Sequence, residues 1–491
     1  MDSTSTSDAG TTSPSGSSTA WLRRDAHLVP RSRAAVGGLL TGPAVVFAAL
    51  LYNSLAVFGF HTLVSRELGP SRYGALGAVL AITVLVPIVR GAFNVALIRE
   101  VVAHPATTCW DARGIRRHLS LAIGALVVFG VAMGPLLESY LHLHSIVPVL
   151  MLVAFAAAVL AGTVPSSVLM GQHRYRTVAV ALGVTATLRL ALGVVCARLF
   201  GLSGALAAYA MAEGAFTLLL VLADHKARQQ STVRRDLRLP RVAVGLAFVS
   251  YASMWVLSGE DQFLARHLLP ATGSGFYVAA SLAGSIALWI PYHVASSLYP
   301  HLADEASSRS NGARRFATGA AITGALALGA AAALMLVPGV TIRVLFGSAF
   351  GPARSVLVLL AVSNAAQGVV YFLLQHQLAS ERKTGIVPWI AVCATAVGIY
   401  AYHSSPTVIA VTPVIVGIAL LVTMAAISGR LALAQHRLTA PAPVATCAAI
   451  TIEPAFDASP LGATRKPGPP GRWCTTSDVS TSACPPDAAQ P

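Results

Sequence analysis

Hydrophobic and polar positions along this chain fall into blocks rather than an alternation. Apolar runs of about 20 residues, the length that crosses a bilayer as a helix, are separated by short polar segments. The short alternating segments that mark a β-barrel are missing from the pattern. The blocks predict twelve spans, at 36–62, 73–101, 119–140, 146–170, 177–199, 202–223, 242–260, 275–299, 316–337, 353–379, 386–403 and 406–427. Their connections are short, as suits antiparallel neighbours in a bundle. The first apolar run, 34–63, is too long for a signal-peptide core and reads as an uncleaved first helix. Residues 1–33, rich in Ser, Thr and Gly and then basic, are expected to form a disordered arm. Residues 428–491 turn rich in Pro, Ala, Thr and Ser and are expected to form a disordered tail. The expected class is an all-α polytopic membrane protein.

Composition agrees with that reading. Hydrophobic residues make up 55% of the 491 residues and charged residues only 11%, which is too little charge to cover a soluble protein of this size. Mean hydropathy is +0.68. A net charge of +15 would suggest nucleic acid in a soluble chain. Here the basic residues occupy alternate loops, as the positive-inside rule requires, so no nucleic-acid partner is expected. With the N-terminus in the cytoplasm, the inside segments hold Arg23, Arg24, Arg31 and Arg33, then Arg113, Arg116 and Arg117, then Arg174 and Arg176. Six more basic residues lie between Lys226 and Arg241, and others at Arg309, Arg314, Arg315, Arg382, Lys383 and along the tail. The outside segments and helix ends hold Arg66, Arg72, Arg198, Arg266, Arg343 and Arg354, and Arg90, Arg99 and Arg189 lie within spans. Both termini are therefore expected in the cytoplasm.

A repeat divides the twelve spans. Span one ends on Arg66-Glu67-Leu68-Gly69-Pro70 and span seven on Arg266-His267-Leu268-Leu269-Pro270, both of the form Arg-x-Leu-x-Pro. Tyr73-Gly74 follows the first, Gly275-Phe276-Tyr277 the second, and each next span carries a proline, Pro87 and Pro291. Arg176-Thr177 and Lys383-Thr384 form a second echo after spans four and ten. Six helices is an even number, so the halves run in the same direction, as in parallel-repeat transporters with a substrate path between two lobes. The expected organisation is an N-lobe at 34–223, a basic cytoplasmic linker at 224–241 and a C-lobe at 242–427. Pro87 and Pro291 are candidate hinges or static kinks.

Polar groups at membrane depth line up on helix faces. Thr83, Pro87, Arg90 and Asn94 form a stripe on span two, and Asn364, Gln367, Tyr371 and Gln375 one on span ten. Span eight carries Ser281, Ser285, Tyr292, His293 and Ser296; span five Thr185 and Arg189; span six Tyr209, Glu213 and Thr217. Several such stripes suggest a wet cavity, because buried polar groups in hydrocarbon need a partner or water. Arg90 and Arg189 suit phosphate oxygens, or alternatively an ion pair with Glu213. Glu213 and Asp261 are candidate coupling groups, and Asp261 with Glu260 could equally cap a helix or pair with Arg266.

Catalytic and metal-binding patterns are not found. The six cysteines lack metal spacing, no P-loop is present, and the outside loops are short. No enzyme activity and no cofactor are expected.

The junctions carry a family resemblance. Leu63-Val64-Ser65-Arg66-Glu67-Leu68-Gly69-Pro70-Ser71-Arg72-Tyr73-Gly74 resembles the span one to two junction of Wzx-type polysaccharide flippases of the multidrug/oligosaccharidyl-lipid/polysaccharide (MOP) superfamily. The stretch Asp261 to Pro270, followed by Gly275-Phe276-Tyr277-Val278-Ala279-Ala280, resembles that family's span seven to eight junction. Ser297-Leu298-Tyr299-Pro300 resembles its end of span eight, and Val344-Leu345-Phe346-Gly347 with Phe350 its junction before span ten. The resemblance covers about residues 36–427.

It implies two six-helix bundles around a central cavity. The implied cargo is an oligosaccharide on a polyprenyl pyrophosphate, moved between leaflets for cell-surface polysaccharide synthesis. The implied partners are a polysaccharide polymerase and glycosyltransferases. Arg90 and Arg189 would hold the pyrophosphate, while Asn94, Tyr292, His293, Asn364, Gln367, Tyr371 and Gln375 would face the sugars. Two alternatives stand beside this: a cation-coupled multidrug antiporter of the same superfamily, using Glu213, and a non-transporting membrane scaffold acting through the tail.

Overall fold

The structure is a computed structural model, and it describes residues 43–83, 85–102, 108–111, 113–229, 233–236, 241–293, 312–379 and 386–439. The arm at 1–33, the tail beyond 439, the Lys383-Thr384 echo and the Ser297–Pro300 motif lie outside these residues.

Helix is what such a sequence must form inside a bilayer, because only helices satisfy every backbone N–H and C=O without water. Among the described residues, eight helical segments are long and apolar enough to cross a membrane, and two shorter apolar helices, Phe248–Leu257 and Val387–Ala401, accompany them. Two of the eight fold back on themselves. Pro43–Thr83 turns at Gly69, whose φ of +68° only glycine adopts freely, and Pro70 opens the next helix. The turn brings His61 Nδ1 to 3.0 Å from the Tyr73 hydroxyl. Tyr175–Gln229 likewise turns at Gly201, which brings Arg189 to within 3.8 Å of Glu213. Counting each hairpin as two spans gives the twelve that the hydropathy pattern predicts.

Residues facing away from the bundle are large and apolar. Val128 is 71% exposed and Val397 69%, and Phe129, Leu199, Phe200 and Ile390 are comparably bare. A protein surrounded by water does not display so much contiguous apolar surface; lipid tails would cover it.

The halves meet through the repeated junctions. A Cβ on Gly74 would stand 2.7 Å from the Gly275 nitrogen, and one on Gly275 would overlap the Pro70 carbonyl. The glycines after each Arg-x-Leu-x-Pro motif therefore let the two backbones touch. The repeat also preserves a hydrogen bond: Tyr73 meets His61, and Tyr277 donates to Asp261 Oδ2 at 2.8 Å, with His61 and Asp261 equally far ahead of Arg66 and Arg266. At this end one continuous core joins both lobes, combining Phe60, Tyr73 and Leu76 with Tyr277, Val278, Phe346, Phe350 and Leu357. Towards the other end the apolar cores are separate, although Leu85–Val102 of the first lobe packs along Arg241–Leu257 of the second. Leu97, Val101, Ile115, Leu119, Val164 and Val168 pack within the first lobe; Met254, Leu257, Phe372, Val392 and Met424 pack within the second. The result is two six-helix lobes closed against each other at one end, with a cavity between them.

Several boundaries differ from the sequence reading. Span seven continues past residue 260 as Arg241–Leu257 and Glu260–Leu268, interrupted at Ser258 and Gly259. Span twelve is one helix, Pro406–Thr439, so the first part of the expected disordered tail is helical. The linker at 224–241 is partly structured: the preceding helix runs to Gln229, and β1 (Thr108–Asp111) pairs in parallel with β2 (Val233–Asp236), Thr108 opposite Val233. Four-residue strands are too short to leave a periodic signal in sequence. This pair, isolated from any larger sheet, depends on the helices that flank it.

Candidate functional site: the cavity between the lobes

The cavity has a volume of about 640 Å³. Its first-lobe wall includes Val46, Phe47, Asn53, Phe58, His61, Thr83, Tyr175 and Tyr209. Its second-lobe wall includes Trp255, Ser258, Gln262, Ser281, Ser285, Trp289, Tyr292, His293 and Asn364. Val46 and His61 lie fifteen residues apart on one helix, so the lining extends over roughly 22 Å of depth at 1.5 Å per residue. No Asp, Glu, Lys or Arg is among the described lining residues.

The charges stand one layer behind the first-lobe wall. Arg90 Nη2 makes an ion pair with Glu213 Oε1 and also donates to the Val159 carbonyl at 3.0 Å. Arg189 Nη2 lies 3.8 Å from Glu213 Oε2. Its Nη1 reaches Asn53 Oδ1 at 3.3 Å, and its guanidinium sits 4.7 Å from the Tyr209 ring centroid. Arg90 stacks in the same manner near Phe216, at 5.2 Å. Both Nε atoms are buried without a hydrogen-bond partner. Two guanidinium groups thus share one carboxylate, leaving one net positive charge behind Asn53 and Tyr209. The ion-pair alternative is the arrangement seen for both arginines.

The other candidate residues divide between the cavity and its frame. Tyr292, His293 and Asn364 line the cavity directly. Gln367 accepts a hydrogen bond from Ser258, itself a lining residue, at 3.1 Å. Gln375 donates to the Tyr371 hydroxyl at 2.6 Å, and the Tyr371 ring supports Tyr292 from behind at 4.5 Å. Asn94 faces span four instead, accepting from Ser167 at 2.6 Å. The span-two stripe is thereby split: Thr83 meets the cavity while Arg90 and Asn94 are turned into their own lobe.

Asp261 is buried and held by Tyr277 and by the Gln262 N–H at 2.8 Å, not by Arg266. Pro87 lies within the helical segment Leu85–Val102. Pro291 packs against Gly368, where a Cβ would stand 2.6 Å from its ring.

Polar and charged residues dominated the sequence reading, which named Tyr292 but missed Trp255 and Trp289. Trp255, Trp289 and Tyr292 form a mutual cluster with centroids 5.2 to 5.8 Å apart. The signal available was Trp289, Tyr292 and His293 at i, i+3 and i+4, one face of a helix.

Solved structures share this architecture. A multidrug resistance MATE family transporter of the MOP superfamily, inward-facing, aligns with a TM-score of 0.61 at 13% identity, over 78% of this chain and 96% of its own. The lipid II flippase MurJ in an inward closed conformation aligns at 0.59 and 11% identity, over 80% and 91%. A MOP superfamily transporter from Pyrococcus furiosus aligns at 0.51 and 14% identity, over 81% and 98%. The fold is that of the MOP-superfamily transporters. No family model and no curated protein matches the sequence.

Proposed function

We propose that this protein is a flippase that carries a polyprenyl-pyrophosphate-linked oligosaccharide from the cytoplasmic to the outer leaflet by alternating access. The observation that carries the reading is the cavity: uncharged polar and aromatic side chains form its surface, and a net-positive Arg90–Glu213–Arg189 cluster lies behind one wall. A pyrophosphate and a glycan are both costly in hydrocarbon. The cavity walls would replace the water around the sugars, and the buried cluster would attract the anion across a low-dielectric layer. No covalent step is involved.

Loop charge supports an orientation with both termini cytoplasmic. The closed end with Arg66 and Arg266 would then face outward. The opposite end, near Tyr175 and its neighbours Arg174 and Arg176, would face the cytoplasm, where the cargo is assembled. In this reading glycosyltransferases supply the cargo and a polymerase consumes it.

A drug/cation antiporter would need an acidic group free to trade a cation for a substrate. Glu213 is engaged by two guanidinium groups, and the described lining residues include no carboxylate, which supports the flippase reading.

The test is a proteoliposome assay with a fluorescent short-chain polyprenyl-pyrophosphate oligosaccharide and its monophosphate counterpart. Protein-dependent transbilayer movement, faster for the pyrophosphate, is expected. Transport of a lipophilic cation, with no movement of either glycolipid, would replace this reading with the antiporter.

A further inference from the structure

The second-lobe wall carries chemistry that the phosphate cluster does not explain. Trp255 from span seven meets Trp289 at 5.3 Å and Tyr292 at 5.8 Å, and Trp289 meets Tyr292 at 5.2 Å. The planes are steeply inclined, so the three rings form a corner rather than a flat stack. Tyr371 buttresses it from span ten, 4.5 Å behind Tyr292, and His293 stacks on Trp289 at 6.0 Å. All three corner residues line the cavity, with Ser258, Ser285 and Asn364 beside them.

We propose that Trp255, Trp289 and Tyr292 form a sugar-binding subsite selective for pyranose rings that carry no carboxylate. This rests on the flippase reading and names the class of glycan it takes. A pyranose has one face of polarised C–H bonds and an edge of hydroxyls. The electron-rich face of an aromatic ring attracts the first. The serine hydroxyls and the Asn364 amide can bond the second. An anionic sugar fits poorly. A uronate carboxylate placed on this corner would lose its water and meet no cation among the described lining residues, and with the pyrophosphate drawn to the cluster behind the opposite wall, that cluster's single net positive charge is already offset. At about 640 Å³ the cavity encloses a ligand of small-molecule size, so it would read a few rings next to the pyrophosphate rather than a long chain.

The test is binding to the full-length purified protein, followed by tryptophan fluorescence and calorimetry. The probes are geranylgeranyl pyrophosphate bearing an N-acetylhexosamine disaccharide, the same lipid bearing a glucuronate-containing disaccharide, the sugar-free lipid, and tetraphenylphosphonium. The neutral glycolipid is expected to bind wild-type protein about tenfold more tightly than the glucuronate form. Trp289→Ala and Trp255→Ala should each weaken the neutral glycolipid by about tenfold, with Trp289→Phe close to wild type. Sugar-free lipid binding should be unchanged in all three, which also shows that the variants are folded. Equal affinity of wild type for the neutral and glucuronate forms overturns the selectivity, a result that needs no variant. Neutral glycolipid binding that ignores the tryptophans overturns the subsite and leaves the flippase reading standing. Binding of tetraphenylphosphonium with no glycolipid bound overturns both.

Discussion

Arg66 and Arg266 occupy the same position in the two repeats, and each donates to backbone carbonyls just beyond the other lobe's third span, Val344 in the short helix Pro338–Phe346 and Leu141 and His142 after Tyr140. Arg66 Nη2 reaches the Val344 carbonyl at 2.6 Å. Arg266 reaches the carbonyls of Leu141 at 3.0 Å and His142 at 3.3 Å, together with the Ser71 carbonyl and the Ser274 hydroxyl. Carbonyls at a helix C-terminus lack intrahelical donors, and a cation there also meets the favourable end of the helix dipole. The duplicated motif thus yields a reciprocal pair of clamps across the closed end. Beside Arg266, His267 stacks on Tyr140 with ring centroids 3.8 Å apart.

The clamps are unequal, because Arg266 is buried and Arg66 is exposed. Arg266→Ala should cost about 2 kcal/mol or more, leaving several carbonyls without a donor, whereas Arg66→Ala should change little. Thermal unfolding of the purified variants checks the ranking. Spin labels placed across the closed end should report a broader distance distribution in Arg266→Ala; an unchanged distribution would remove the clamp from the gating account.

The shared carboxylate makes a second asymmetry. Glu213→Gln leaves buried Arg189 and half-buried Arg90 without a counter-ion and should destabilise by about 2–4 kcal/mol. Adding Arg90→Met should recover part of that loss, because one orphaned charge is then gone. A thermodynamic double-mutant cycle measures the coupling, and strict additivity would contradict the triad.

Backbone contact between the repeats makes the glycines unequal as well. Gly275→Ala, with its Cβ against Pro70, should lower the yield of folded protein or cost about 1–3 kcal/mol. Gly324→Ala, in open space on a span helix, should be neutral or slightly stabilising. Size-exclusion yield and melting temperature distinguish the two.

Tyr277→Phe removes a hydroxyl donor from the buried Asp261 carboxyl, while Tyr73→Phe removes one partner from His61. Bonds to a carboxylate are the stronger, so the first variant should lose about 1.5–3 kcal/mol and the second about 1. Equal losses would mean that Asp261 does not carry the charge that sets its bond apart.

How much of this was legible beforehand depended on the range of the interaction. Apolar blocks of bilayer length specify helical spans locally, since each helix satisfies its own backbone wherever it packs. The span count, the Arg-x-Leu-x-Pro repeat and the six-plus-six division follow from such local and periodic signals. Direction around the helix axis is also periodic, which is why Tyr292, His293 and Asn364 could be placed on a polar face and do line the cavity. What a polar residue faces is not periodic. Arg90 and Asn94 share a stripe with Thr83, yet they turn to Glu213 and Ser167 on other spans, and only the packing of three helices decides that. The aromatic corner is tertiary in the same sense: Trp255 and Trp289 are thirty-four residues apart and become one surface only when spans seven and eight pack side by side. Sequence determined that the lobes exist and that charge is embedded in them. Tertiary structure decided that this charge is shared, recessed by one layer and hidden behind a neutral wall, because a cation in a low-dielectric interior is stable only beside the carboxylate that folding brings to it.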